Sequence, residues 1–167
     1  MPHHESTPPN AIVLVVDQIA ATMLGPYGNT WVETTNFNRL AARSLLFDFT
    51  YCNSPDLKAG YDSWWMSEPD PRGEVQNLIA KAADGGIESV LVSDEPVVLN
   101  HEAAGFDRII AIEQGEVHQA AASPAETALA VFFAQSVAAL SEMKPGSYYR
   151  LHSQGLRGPW DAPYSFR

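Results

Sequence analysis

The chain has 167 residues, 46% of them hydrophobic, which is enough to fill one core in one domain and excludes a disordered chain. Twenty acidic residues against ten basic ones give a formal charge of -10, and a surface of that sign repels phosphate backbones and anionic headgroups, so nucleic acid and membrane surfaces are not the expected partners. A single cysteine, Cys52, leaves no intrachain disulfide, and no Cys/His pairing has the spacing of a structural zinc site. The segment 1–10 is polar, with three prolines and no apolar stretch of signal-peptide type. It reads as a flexible tail ahead of a domain over 11–167, and a cytoplasmic location is the default expectation.

In chain order, Ala11-Ile12-Val13-Leu14-Val15-Val16 is a continuous, largely β-branched run ending in Asp17, the pattern of a parallel strand covered on both faces. Gly25-Pro26-Tyr27-Gly28-Asn29 is turn chemistry, and the apolar spacing after Thr35 predicts a short helix over 36–44. Leu45 to Tyr51 reads as a strand candidate. From Asn53 to Arg72 the composition shifts to Pro, Asp, Gly and Trp without a period, which predicts a long loop with one helical turn near Trp64. Gly73 to Ala83 restores helical spacing and stops at Gly85-Gly86, and Glu88 to Asp94 is the next buried strand. Phe106 to Ile112 is a further strand candidate. Ser123-Pro124-Ala125-Glu126 reads as a capping box opening a helix from 124 to about 142. After a turn over Met143 to Ser147, Tyr148 to His152 is a strand whose end carries His152 and Ser153. Strands alternating with helices predict an α/β fold with a mostly parallel sheet, whose ligands sit outside the carboxyl ends of the strands.

Two stretches resemble the sulfatase branch of the alkaline phosphatase superfamily. The first runs Ile12-Val13-Leu14-Val15-Val16-Asp17-Gln18, Leu24-Gly25-Pro26-Tyr27-Gly28-Asn29, Thr35-Asn36-Phe37-Asn38-Arg39-Leu40-Ala41, then Phe47, Tyr51 and Ser54-Pro55. Sulfatases open similarly, with a strand ending in two aspartates, a "GxYGN" turn, a "TPNLDRLA" helix and a path into the nucleophile loop. The second, Leu151-His152-Ser153-Gln154-Gly155-Leu156-Arg157-Gly158-Pro159-Trp160, is similar to the family's "H…HGPW" segment. The resemblance covers most of the chain after residue 10. It implies an alkaline-phosphatase-like fold and corresponds to the first half of a typical sulfatase domain.

Sulfate-ester hydrolysis needs a strong nucleophile, a cation for the equatorial oxygens and a proton donor for the leaving oxygen. The family supplies a formylglycine made from a "C/S-x-P-S-R" motif and a divalent ion, usually calcium. Here the resemblance sets Leu57 on the nucleophile position, within Ser54-Pro55-Asp56-Leu57-Lys58-Ala59-Gly60-Tyr61. An isobutyl group can neither become an aldehyde nor attack sulfur. Cys52 does not fit the modification motif, since Asn53-Ser54-Pro55-Asp56 follows it; it reads as a small, partly buried residue at a strand end. The metal aspartates are reduced to Asp17-Gln18, one carboxylate fewer for an ion that wants six or more oxygens, so no cofactor is expected. The position of the family's proton-donating histidine is Arg157, which binds anions but stays charged. Lys58, His152 and Arg157 are the candidate anion-binding residues. Trp64, Trp65 and Trp160 are candidates for a ring-binding wall, and His3 and His4 read as solvated.

The resemblance implies a sulfatase-like protein without turnover. The alternatives are a binding module for an anionic or sugar ligand, an active hydrolase completed by another chain, or a fragment without selected function. It also implies a partner, either a second copy or another chain that completes the sheet at an open edge. Family members are often exported.

Overall fold

The computed structural model describes residues 9–52, 54–65, 77–101, 105–114, 119–157 and 160–166. Four strands, β1 (Ala11–Val16), β2 (Ser89–Ser93), β3 (Arg108–Ala111) and β4 (Tyr148–Ser153), form one all-parallel sheet in the order β1-β4-β2-β3. Among the described residues five α-helices accompany it: α1 (Thr35–Ala41), α2 (Leu57–Trp65), α3 (Leu78–Asp84), α4 (Pro96–Leu99) and α5 (Ala128–Ser141). The protein is therefore an α/β fold.

Alternation along the central strands sorts the core into two layers. Leu91 joins Tyr61 and Trp65 of α2, Ile79 of α3, Val98 of α4 and Phe106 on one face of the sheet. Val90 and Val92 join Tyr149 and Leu151 of β4, Ile112, and Phe132 and Ala139 of α5 on the other. Every residue of β2 is buried, which is why its sequence is apolar or small without interruption. The chain passes from β1 over β4 to β2 through α2 and α3, steps to β3 through α4, and returns to β4 through α5.

The four predicted strands at 11–16, 88–94, 106–112 and 148–152 are present, each within two residues of its expected bounds. Residues 45–51 form no strand. The carbonyl of Phe47 accepts a hydrogen bond from the Tyr27 hydroxyl at 3.1 Å, and Leu45, Phe49 and Tyr51 are exposed, so no sheet edge pairs with this run. The predicted long loop contains α2, nine residues rather than one turn. Leu57, Tyr61, Trp64 and Trp65 stand at i, i+4, i+7 and i+8, a helical stripe that the surrounding Pro, Asp and Gly obscure. The Asp56 carboxylate accepts the Ala59 amide at 2.8 Å, and Lys58 and Asp62 pair across one turn at 3.1 Å.

The helix predicted over 73–83 is described from Leu78, with Asn77 as its cap; residues 73–76 lie outside the described residues. The predicted capping box does not start α5. Ser123 donates to the Glu126 carboxylate at 2.9 Å and opens a single 3-10 turn over Pro124–Glu126. Thr127, with extended backbone, then caps α5 by accepting the Ala130 amide at 3.3 Å. The short helix α4 was not anticipated. Among the described residues no helix is long and apolar enough to cross a membrane. His3 and His4, with most of the predicted tail, lie outside the described residues.

Candidate functional site

Parallel strands present their carboxyl ends on one side, and here those ends carry Asp17 after β1, Asp94 and Glu95 after β2, and Ser153 and Gln154 at the end of β4. Over β1 and β4 lies an open cleft of about 310 Å³, lined by Asp17, Gln18, Cys52, Ser54, Asp56, Leu57, Gly60, Trp64 and Arg157. A tight turn after β4 builds one wall. The Leu156 amide donates to the Asp17 carbonyl at 3.1 Å, and Gly155 there has a φ of 62°. A Cβ on Gly155 would lie 2.0 Å from that carbonyl oxygen, so the approach of the two backbones requires glycine. Gln18, at φ 58°, makes the corresponding left-handed bend at the end of β1.

That turn carries Arg157 to the mouth of the cleft, where its guanidinium pairs with the Glu95 carboxylate. Glu95 is fully buried and works on both oxygens: Oε2 meets Arg157, while Oε1 accepts the Val97 amide at 3.0 Å and caps α4. The pairing fixes Arg157 and neutralises part of its charge.

A polar chain runs beneath the cleft. Arg150 Nε donates to the Tyr61 hydroxyl at 3.2 Å, the hydroxyl meets His152 Nδ1, and His152 Nε2 lies 3.2 Å from Asp17 Oδ2. The arrangement in which each donor finds an acceptor puts the imidazole proton on Nε2, with Tyr61 donating to Nδ1 and Nε2–H donating to Asp17. Burial raises the Tyr61 phenol to about 12 despite the adjacent Arg150 guanidinium, so it stays a proton donor at neutral pH. Arg150 also lies over the aromatic rings, 4.7 Å from the centroid of Tyr61 and 5.1 Å from that of Trp64.

Of the residues singled out in the sequence, Asp17, Gln18, Leu57 and Arg157 converge on the cleft, with His152 buried directly beneath Asp17. Lys58 does not join them, because its ammonium turns along α2 to Asp62. Cys52 is exposed in the cleft wall instead of partly buried at a strand end, since no strand forms there. The three tryptophans separate: Trp64 lines the cleft, Trp65 is core, and Trp160 is exposed with its indole N–H on the Leu156 carbonyl at 3.1 Å. Gly158 and Pro159 lie outside the described residues.

Tyr61, Arg150 and Glu95 were not singled out. A signal was present for Arg150: like His152, it is a polar residue alternating with Tyr149 and Leu151 on a strand buried along nearly its whole length. Asp17, Gln18, Ser54 and Asp56 bring side-chain oxygens to the cleft lining. One Asp17 oxygen is engaged by His152, Gln18 adds only a neutral carbonyl, and among the described residues no three of His, Cys, Asp and Glu cluster to hold a metal. The chain matches no family model, no curated protein and no solved structure.

Proposed function

We propose that this chain is a sulfatase-like α/β domain whose cleft binds a sugar or sulfated sugar without hydrolysing it. The observation that carries the reading is the convergence of Asp17, Gln18, Leu57 and Arg157 on one cleft at the carboxyl ends of β1 and β4. Those four positions were aligned by resemblance alone and lie up to 140 residues apart in the chain. The chemistry of the lining then argues against turnover. Leu57 offers no nucleophile, Arg157 no transferable proton, and among the described residues no histidine lines the cleft beside the Cys52 thiol, both nitrogens of His152 beneath it being engaged by Tyr61 and Asp17. Binding groups remain: the Trp64 ring for a sugar face, Ser54 and Asp17 for hydroxyls, and the Arg157 fork for a sulfate.

Three measurements test this. Purified protein should hydrolyse 4-nitrophenyl sulfate no faster than buffer, with or without calcium, and mass spectrometry should find Cys52 as an unmodified thiol. Galactose 6-sulfate should raise the melting temperature of the wild type and not that of Arg157→Ala. Calcium-dependent turnover would overturn the reading. So would a calcium-induced melting shift abolished by Asp17→Ala, since a site a hundredfold below the free calcium concentration would stabilise by about 2.7 kcal/mol. The reading extends to assembly. Strand β1 is an edge among the described residues, with Ile12 and Leu14 52% and 47% exposed, and a second copy pairing there would cover them. A monodisperse monomer in sedimentation at micromolar concentration would remove that part.

A further inference from the structure

The sheet holds a second crevice, at the carboxyl ends of β2 and β3, that the sulfatase-like reading does not use. After β2 the chain turns to α4, whose Val98 packs in the Leu91 layer; after β3 it turns to α5, whose Phe132 packs in the Val90 and Val92 layer. Two adjacent strands thus send their connections to opposite faces of the sheet. That divergence opens a crevice outside the strand ends, the place where open parallel sheets hold their ligands. Here the crevice is about 670 Å³, within the range of small-molecule sites. Asp94, Gln114 and Gln154 give it a polar wall, Leu99 and Ile109 an apolar one, and Glu113 stands beside them.

Asp94 decides the chemistry. It is 5% exposed, and its hydrogen bonds come from neutral donors: the Gln154 amide at 2.7 Å, the Ser153 hydroxyl at 3.2 Å and the Gln114 side-chain amide. Among the described residues no Lys, Arg or His lies within ion-pair distance of it, whereas its neighbour Glu95 has Arg157. A carboxylate offers about four acceptor positions, so three donors leave one for a ligand. Among the described residues the lining holds two carboxylates and no cation, which repels an anion, whereas an ammonium group supplies the countercharge that burial otherwise denies Asp94. The Gln114 and Gln154 amides, linked to each other at 3.1 Å, fix the polar wall, and Leu99 with Ile109 faces a carbon skeleton.

We infer that the crevice between β2 and β3 is a binding site for a small hydroxylated amine, the class of amino sugars and amino alcohols, with its ammonium group on Asp94. The inference stands apart from the Arg157 cleft. Ligand-detected NMR titration of the full chain with three rings of similar size tests it: glucosamine (cationic), N-acetylglucosamine (neutral) and glucuronate (anionic). Glucosamine should bind about tenfold tighter than N-acetylglucosamine, and glucuronate should not bind. Asp94→Asn should lower glucosamine to the affinity of the neutral ring. Leu99→Trp, which fills the crevice and leaves the Asp94 carboxylate in the sequence, should abolish binding; it carries the test if Asp94→Asn loses its cooperative melt. Equal affinity for the three rings, no glucosamine binding at millimolar concentration, or binding unaffected by Leu99→Trp would each overturn the inference.

Discussion

Leu45-Leu46-Phe47 and Val90-Leu91-Val92 are comparably apolar triplets with opposite fates. The second is fully buried at the centre of the sheet; in the first, Leu45 is 86% exposed and Phe47 67%. The difference lies outside the triplets. Val90 and Val92 have α5 and Leu91 has α2 and α3, together with a paired strand on each side, whereas the run at 45–47 belongs to neither core layer and pairs with no strand among the described residues. Apolar content raises the free energy available from burial, but a covering partner has to be present for that energy to be realised.

The same contrast should dominate mutational energetics. Trp65 is 1% exposed and packs against Tyr61 and Phe106 at centroid distances of 4.3 and 5.5 Å, whereas Trp31 is 93% exposed. Trp65→Ala should cost about 3–5 kcal/mol and Trp31→Ala less than about 0.5 kcal/mol, as read from denaturant melts of the two variants. Comparable losses would mean that residues 31–51 have a cover that the described chain does not provide.

A polar test of the packed centre follows at smaller scale. Tyr61→Phe keeps the ring but removes the acceptor for Arg150 and the donor for His152, both buried. The expected loss is about 1–3 kcal/mol, with the far-ultraviolet spectrum unchanged. A neutral result would show that water or a rearranged Arg150 replaces the hydroxyl. Thr127→Ala, which removes the side-chain cap of the helix that covers Val90 and Val92, should cost about 1 kcal/mol.

These comparisons also explain what could be read from the sequence. The four strands were legible because strands of a parallel sheet are written as unbroken or alternating apolar runs, and 11–16, 88–94 and 148–152 have that form. Only β2 and β4 are covered on both faces, and the expectation of two-sided cover fails for β1, an edge strand among the described residues that leaves Ile12 and Leu14 exposed. Residues 45–51 carry the same local pattern, and nothing local says that no neighbour will pair with them. Helix α2 was hidden for the reverse reason: Gly60 and the flanking prolines and aspartates dilute a stripe whose large members, Tyr61 and Trp65, are held by tertiary packing. At the site, Asp17 and Arg157 were legible as strand-end and motif positions. The Tyr61–His152 contact joins residues 91 apart in sequence, and it depends on an α2 that was read as loop.

The smallest effect separates two aspartates at opposite ends of the sheet. Asp94 lies at the carboxyl end of β2, and burial holds its carboxyl above the usual 3.8; Asp107 lies before β3, and the Ser89 amide and hydroxyl, both at 2.8 Å, hold its carboxyl below that value. The signs of their contributions to stability are opposite. For Asp94 the folded chain holds the proton more tightly than the unfolded chain. Its contribution is fully present below 3.8 and is lost as the pH rises through the raised folded value. For Asp107 the contribution is present above 3.8 and is lost as the pH falls through the lowered one. Other carboxylates titrate in the same window, so the measurable quantity is the melting temperature of the wild type minus that of each asparagine variant. Between neutral and acid pH that difference should move in favour of the wild type for Asp94→Asn and against it for Asp107→Asn. Parallel slopes would mean that Asp94 is as well solvated as Asp107, which would place water or a cation in the crevice between β2 and β3 and remove the uncompensated carboxylate on which its ligand chemistry rests.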